Sequence, residues 1–128
     1  MEITVGLKGE VATVAEREDT ALEVGSGSLL VYSTPCMVAL MEGAACEAIE
    51  ECLTDTKTSV GTELNISHLS ATPVGLGVRA EAEVTAVEGN TVTFKVTAYD
   101  EAGKIGEGTH KRVIVSIQRF LDKAYDKL

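Results

Sequence analysis

Residues 33–53 read S-T-P-C-M-V-A-L-M-E-G-A-A-C-E-A-I-E-E-C-L, and this stretch decides the fold. Thr34 is a good N-cap, because a hydroxyl there accepts from a backbone N–H that the first turn leaves free. Pro35 suits the first helical position, where its fixed φ is already helical and its missing N–H costs nothing. Positions 35–53 are rich in Ala, Met, Leu and Glu, with Gly43 the one interior glycine. They predict one long helix over 35–53.

On both sides of that helix the apolar period changes from helical to alternating. I-T-V-G-L-K-G-E-V-A-T-V at 3–14 predicts a strand with Ile3, Val5, Leu7 and Val11 on one face. G-S-G-S at 25–28 is a loop signal, and S-L-L-V-Y at 28–32 is a short apolar strand or a lead-in to the helix. After the helix, K-T-S-V-G-T-E-L-N-I-S-H at 57–68 reads as a strand with Val60, Thr62, Leu64, Ile66 and His68 on one face. T-P-V-G at 72–75 is a turn. A strand follows with Val78, Ala80, Ala82, Val84 and Ala86 facing one way. V-E-G-N is a hairpin turn signal. The next strand turns Val92, Phe94, Val96 and Ala98 inward, and D-E-A-G-K turns the chain again. The last strand runs through T-H-K-R-V-I-V-S-I, and the tail after it predicts a short helix. Short turns force antiparallel pairing. One-sided alternation means that one sheet face is covered. The result is an α+β chain, an antiparallel sheet wrapped around one long helix, which is the description of a hot-dog fold.

The length of 128 residues suits a single domain over 1–128. No apolar run is long enough to span a bilayer. The N-terminus lacks the basic start and apolar run of a signal peptide, so a cytoplasmic protein without membrane contact is expected. A net charge of −9 with scattered basic residues disfavours nucleic acid as a partner. It leaves room for a small anionic ligand, which needs only a few cations or helix N–H groups. The three cysteines, Cys36, Cys46 and Cys52, are odd in number and contain no C-x-x-C. They predict small buried hydrophobes in place of disulfides or a zinc site. No metal site is expected, since no carboxylate–histidine cluster has ligand spacing.

Polar residues on apolar faces are the informative ones. At about 100° per residue, Glu42 falls within about 60° of Val38, Ala45 and Ile49. It therefore sits on the stripe that faces the sheet, while Glu47 and Glu51 turn outward. His68 ends the apolar face of its strand. A buried carboxylate and a buried imidazole each cost several kcal/mol if left unpaired, so the two are expected to meet or to share a solvated pocket. Thr34 precedes Glu42 by two turns and a fraction, at a helix start with free N–H groups. Taken singly, Thr34 reads as a cap and His68 as a satisfied core residue; together the three read as a site.

The same residues lie in motifs that resemble a known family. S-T-P…E-G-A-A, V-G-T at 60–62, I-S-H-L-S-A-T-P-V-G at 66–75 and G-x-G-T-H-K-R at 106–112 resemble the fluoroacetyl-CoA thioesterase branch of the hot-dog thioesterases, over roughly residues 20–120. The resemblance implies an acyl-CoA thioesterase whose catalytic residues are Thr34, Glu42 and His68. It also implies active-site surroundings that include Gly61 and Arg112. The stretch E-V-G-S-G-S-L-L at 23–30 has no aromatic. A family member that confers fluoroacetate resistance carries aromatic lid residues there, which speaks against fluoroacetyl selectivity in this chain. The substrate is then a small acyl thioester of coenzyme A. No separate cofactor is implied, and a homodimer with the pocket near the subunit interface is. In that frame His68 moves protons, and Thr34 and Glu42 generate the nucleophile. Gly61 lets a backbone approach the thioester. Lys111 and Arg112 either meet the phosphates of coenzyme A or form a solvated pair. His110 is a structural residue, or one that acts from behind the site.

Three other readings compete, one of them a purely structural dimer module with no affinity for coenzyme A. A non-catalytic acyl-CoA-binding protein would keep the pocket without turnover. A hot-dog hydratase or dehydratase would use Glu63-x4-His68, but residues five apart on a strand point to opposite faces.

Overall fold

The computed structural model describes residues 2–128. Its five-stranded sheet contains β1 (Lys8–Val14), β2 (Lys57–His68), β3 (Gly77–Glu88), β4 (Thr91–Asp100) and β5 (Gly103–Ser116). The spatial order is β1-β3-β4-β5-β2, and every neighbouring pair is antiparallel. Three α-helices are present among the described residues: α1 (Ala21–Val24), α2 (Thr34–Ile49) and α3 (Ile117–Tyr125). A 3-10 turn, Glu50–Cys52, extends α2 towards the predicted end of the helix.

The sheet curls around α2. Met37, Met41, Ala44, Ala45 and Ile49 of α2 are buried against Val78, Ala80, Ala82 and Val84 of β3 and Val92, Phe94, Val96 and Ala98 of β4. Each fully buried Met, Ile or Phe contributes about 1.5–3 kcal/mol relative to exposure. Contact with β1 is close enough to exclude a side chain. A Cβ on Gly9 would run into the Ala44 carbonyl and the Ala48 backbone. Small residues on this side of α2 allow the helix to sit that near the strand.

Two expectations change and two are made definite. The cap of α2 is Ser33, whose Oγ accepts from the Cys36 N–H at 3.2 Å, so Thr34 is the first helical residue and Pro35 the second. The N-terminal strand begins at Lys8, not at residue 3. Gly6 turns the chain at φ 98°, so Ile3, Leu7 and Val11 pack on the core while Val5 is exposed. Residues 28–32 form no strand; isolated bridges join Thr20 to Tyr32 and Val31 to Pro73, making this a lead-in to the helix. The last strand starts at Gly103, directly after the turn that Asp100 Oδ1 closes on the N–H groups of Ala102 and Gly103.

The face assignment of β2 also changes, and this matters for the site. The register against β5 slips between Gly61 and Glu63. One extra residue there reverses the alternation. Ser59 and Gly61 therefore share the helix side with Leu64, Ile66 and His68, through pairing with Ile114, Arg112, His110, Gly108 and Gly106. Val60 falls on the opposite face, and Thr62 is exposed in the bulge.

Candidate active site

The start of α2 and the end of β2 meet at a hydrogen bond. Thr34 Oγ1 lies 2.7 Å from His68 Nδ1. Ser33 performs the capping, which leaves the Thr34 hydroxyl free for the imidazole. His68 Nε2 is buried and has no hydrogen-bond partner among the described residues. Burial lowers the pKa of His68 below 6.5, with the Ser70 backbone partly offsetting it. A cavity of about 340 Å³ opens beside the pair, lined in part by Tyr32, Thr34, His68 and Leu69. Its wall is fixed by Tyr32, which is buried and donates its hydroxyl to the Cys36 carbonyl at 3.2 Å. Burial pushes that phenol's pKa up, so it stays protonated.

A second cluster lies two turns along α2. Glu42 Oε2 accepts from Arg112 Nη1 at 3.0 Å, and its side chain is 35% exposed. Arg112 is turned inward and is 6% exposed. Its Nε donates to Ser59 Oγ at 2.8 Å and its Nη2 to the Ser59 carbonyl at 3.1 Å. His110 is fully buried, with Nε2 3.2 Å from Arg112 Nη1 and 3.9 Å from Glu42 Oε2. Gly61 lies directly over this group. A Cβ there would overlap the Glu42 carboxylate and come within 3.2 Å of the His110 ring and 3.3 Å of Arg112 Nη1.

The sheet thus joins Thr34 with His68, and Glu42 with Gly61 and Arg112, and holds the two groups apart. Eight residues of helix separate Thr34 from Glu42, a rise of about 12 Å. Lys111 faces the other side of β5, where its Nζ lies 3.8 Å from the Glu63 carboxylate in an exposed pair. That outward-facing Glu63 does not approach His68, which removes the geometry a hydratase would need.

Of the second cluster, Ser59 is not marked by the sequence, and His110 is marked only as a structural residue or one that acts from behind the site. Ser59 was hidden by the bulge, since strict alternation from Val60 puts Ser59 outside. For His110 the signal was available: G-E-G-T-H-K-R alternates with Gly106, Gly108, His110 and Arg112 on one face. The two glycines on that face carry no apolar side chain to mark it as the inner one.

Comparison with known proteins identifies the family. The family model described as fluoroacetyl-CoA-specific thioesterase matches residues 15–118. A fluoroacetyl-CoA thioesterase from Streptantibioticus cattleyicolor is 38% identical over 97 residues, covering 76% of this chain and 70% of that protein. A crystal structure of the fluoroacetyl-CoA thioesterase superposes with a TM-score of 0.94 at 30% identity, covering 100% of this chain and 99% of the other. A hot-dog-like protein from Thermanaerovibrio acidaminovorans superposes with a TM-score of 0.86 at 25% identity, over 97% of this chain and 92% of its own. The hot-dog fold, the family match over residues 15–118 and the 38% identity over 76% of the chain converge: the chain belongs to the fluoroacetyl-CoA-specific thioesterase family of hot-dog thioester hydrolases.

Proposed function

We propose that this acyl-CoA thioesterase cleaves the thioester of a small acyl group, with Thr34 and Glu42 generating the nucleophile and His68 moving the proton. The observation that carries the reading is the 2.7 Å contact between Thr34 Oγ1 and His68 Nδ1 beside an open cavity. A neutral imidazole, favoured by burial, can take the hydroxyl proton as oxygen attacks the thioester carbon. It can then return that proton to the departing thiolate of coenzyme A. Pro35 has no N–H and Ser33 holds those of Cys36 and Met37, so the Thr34 N–H and the positive end of the α2 dipole are what the helix start offers to the developing oxyanion. Glu42, held by Arg112, supplies a fixed carboxylate to orient water for the second half of the reaction.

A homodimer completes this arrangement. β2 is an edge strand, and its outer side has no partner among the described residues. Pairing two such edges antiparallel reverses strand direction across the two-fold axis. It sets the Gly61–Glu42 end of one chain beside the Thr34–His68 end of the other, which removes the separation seen along α2. The unpaired cysteines Cys36, Cys46 and Cys52 fit a reducing compartment, so a cytoplasmic setting is proposed.

Fluoroacetyl selectivity is not part of the proposal. The loop between α1 and α2 presents Leu29 and Leu30 to solvent and contains no aromatic over 23–30. The test is release of free thiol from a panel of acyl-CoAs, including acetyl and fluoroacetyl, by wild type and by Glu42→Ala and His68→Ala. Turnover lost in both variants, with folding intact, supports the assignment. Coenzyme A binding with no hydrolysis of any thioester would replace it with the non-catalytic binder.

A further inference from the structure

We infer that His110 is a positioning residue: a neutral imidazole, held as the Nδ1–H tautomer, that fixes the Arg112 guanidinium against Glu42. The inference rests on the reading that Glu42 works in the site. It begins with the Glu63 carbonyl, 2.8 Å from His110 Nδ1. A carbonyl can only accept, so Nδ1 carries the proton. In a neutral ring Nε2 is then a lone pair, and it faces Arg112 Nη1 at 3.2 Å. Nη1 has two protons and two acceptors, His110 Nε2 and Glu42 Oε2. The remaining edge of the guanidinium is taken by Ser59, through its hydroxyl and its carbonyl. Four of the five N–H groups of the planar fork are thus given partners, an arrangement that a lysine could not reproduce.

The ring has no freedom to choose otherwise. It is fully buried and stacks on Phe94 of β4, with ring centres 6.0 Å apart. The charged groups that face it are Glu42 from α2 and Arg112 from its own strand; β2 contributes the Glu63 carbonyl and β4 the Phe94 ring. Protonating Nε2 would set an N–H against an N–H and a second positive charge beside the guanidinium. Burial and Arg112 both disfavour that state, and together they outweigh the Glu63 carbonyl and Glu42. If Nε2 stops accepting, one buried Nη1 proton loses its partner, and Arg112 can recover one only by turning away from Glu42.

Two measurements test this. Nitrogen-15 NMR of the whole protein, with the His110 signals assigned by their loss in His110→Gln, reads the tautomer directly. The expected result is a protonated Nδ1 and a bare Nε2 at neutral pH, persisting below the pH at which a free imidazole titrates. A protonated Nε2 at neutral pH overturns the inference, and this arm needs no variant to be active. The second measurement is thiol release by His110→Asn and His110→Gln. Asparagine keeps the donor to the Glu63 carbonyl and removes the acceptor for Arg112, whereas glutamine reaches the Nε2 position with an oxygen. Expected are a kcat reduced about 10- to 100-fold in His110→Asn with KM changed little, and recovery to within a few-fold in His110→Gln. Equal loss in both variants, or full activity in His110→Asn, overturns it. Glu42→Gln run in parallel separates the two levels. If it retains wild-type turnover, the reading of Glu42 fails. If it is inactive while His110→Asn is not, only the role of His110 fails.

Discussion

Gly61 and Glu42 occupy adjoining space that a single methyl group would close: a Cβ on Gly61 would overlap the Glu42 carboxylate. The carboxylate is the flexible end of a half-buried side chain, so it would move before the β2 backbone did. Moving it breaks the 3.0 Å contact with Arg112 Nη1. Gly61→Ala should therefore fold normally and lose kcat about 10- to 100-fold, the usual cost of a displacement near 1 Å at a reacting centre. Thermal unfolding and steady-state thiol release on one preparation check it. Wild-type kcat in a folded Gly61→Ala would show that the position of Glu42 is unimportant.

Capping and chemistry are divided between two adjacent residues at the start of α2. Ser33 holds the Cys36 N–H, and Thr34 holds His68. Thr34→Val should reduce kcat about 10²–10⁴-fold with stability nearly unchanged, and Thr34→Ser should retain most of the rate. Ser33→Ala should do the reverse, lowering stability by about 0.5–2 kcal/mol with a much smaller effect on turnover. Denaturant melts and kinetics of the three variants form the test. A Thr34→Val that melts early and turns over normally would return Thr34 to the role of a cap.

The fold was legible because its determinants are local. One Pro-initiated helix amid alternating stretches and short turns leaves few topologies, and β3 and β4 bury the residues that their alternation predicts. Thr34, Glu42 and His68 were legible as polar residues on apolar faces. The pairing among them was not. Helical periodicity places Thr34 and Glu42 in one quadrant but says nothing of the separation along the axis. The bulge at Gly61–Glu63 has no sequence signature beyond a glycine, yet it decides that Ser59 faces inward and Val60 outward. Pattern alone makes Arg112 a residue for phosphates or solvent, and only the family resemblance sets it among the active-site surroundings. Burial here depends on Ser59, Glu42 and His110 arriving from three elements, which no local pattern encodes.

The proposed dimer makes a prediction that a single-chain site does not. If Glu42 of one subunit works with His68 of the other, a mixed dimer of Glu42→Ala and His68→Ala chains contains one doubly damaged site and one intact site. Random pairing gives such dimers half the population, so co-expression should restore about a quarter of wild-type activity from two inactive parents. Tandem affinity tags isolate the mixed species, in which activity should be half that of wild type. No recovery in a verified mixed dimer would place all three residues of each site on one chain.

Acid should weaken both the enzyme and its fold through the same two histidines. His68 and His110 are held below 6.5 chiefly by burial. Above about pH 7.5, well over the unfolded value of about 6.5, each is neutral in the folded and unfolded chains alike, so stability is at its full value. As pH falls below that point, the unfolded chain takes up protons that the folded chain refuses, and stability declines until the folded values are passed. The groups whose pKa values are moved by surface pairing lie outside this window: Glu107 is lowered from 4.5, and Lys104 and Arg79 are raised at the alkaline end. Tm should thus fall between about pH 7.5 and 5.5. The fall should be shallower in His110→Gln, which removes one of the two titrating rings. Turnover should fall over the same range as His68 loses its capacity to accept the Thr34 proton. A Tm that is flat across the interval, or that rises towards acid, would mean that neither ring is held neutral by the fold.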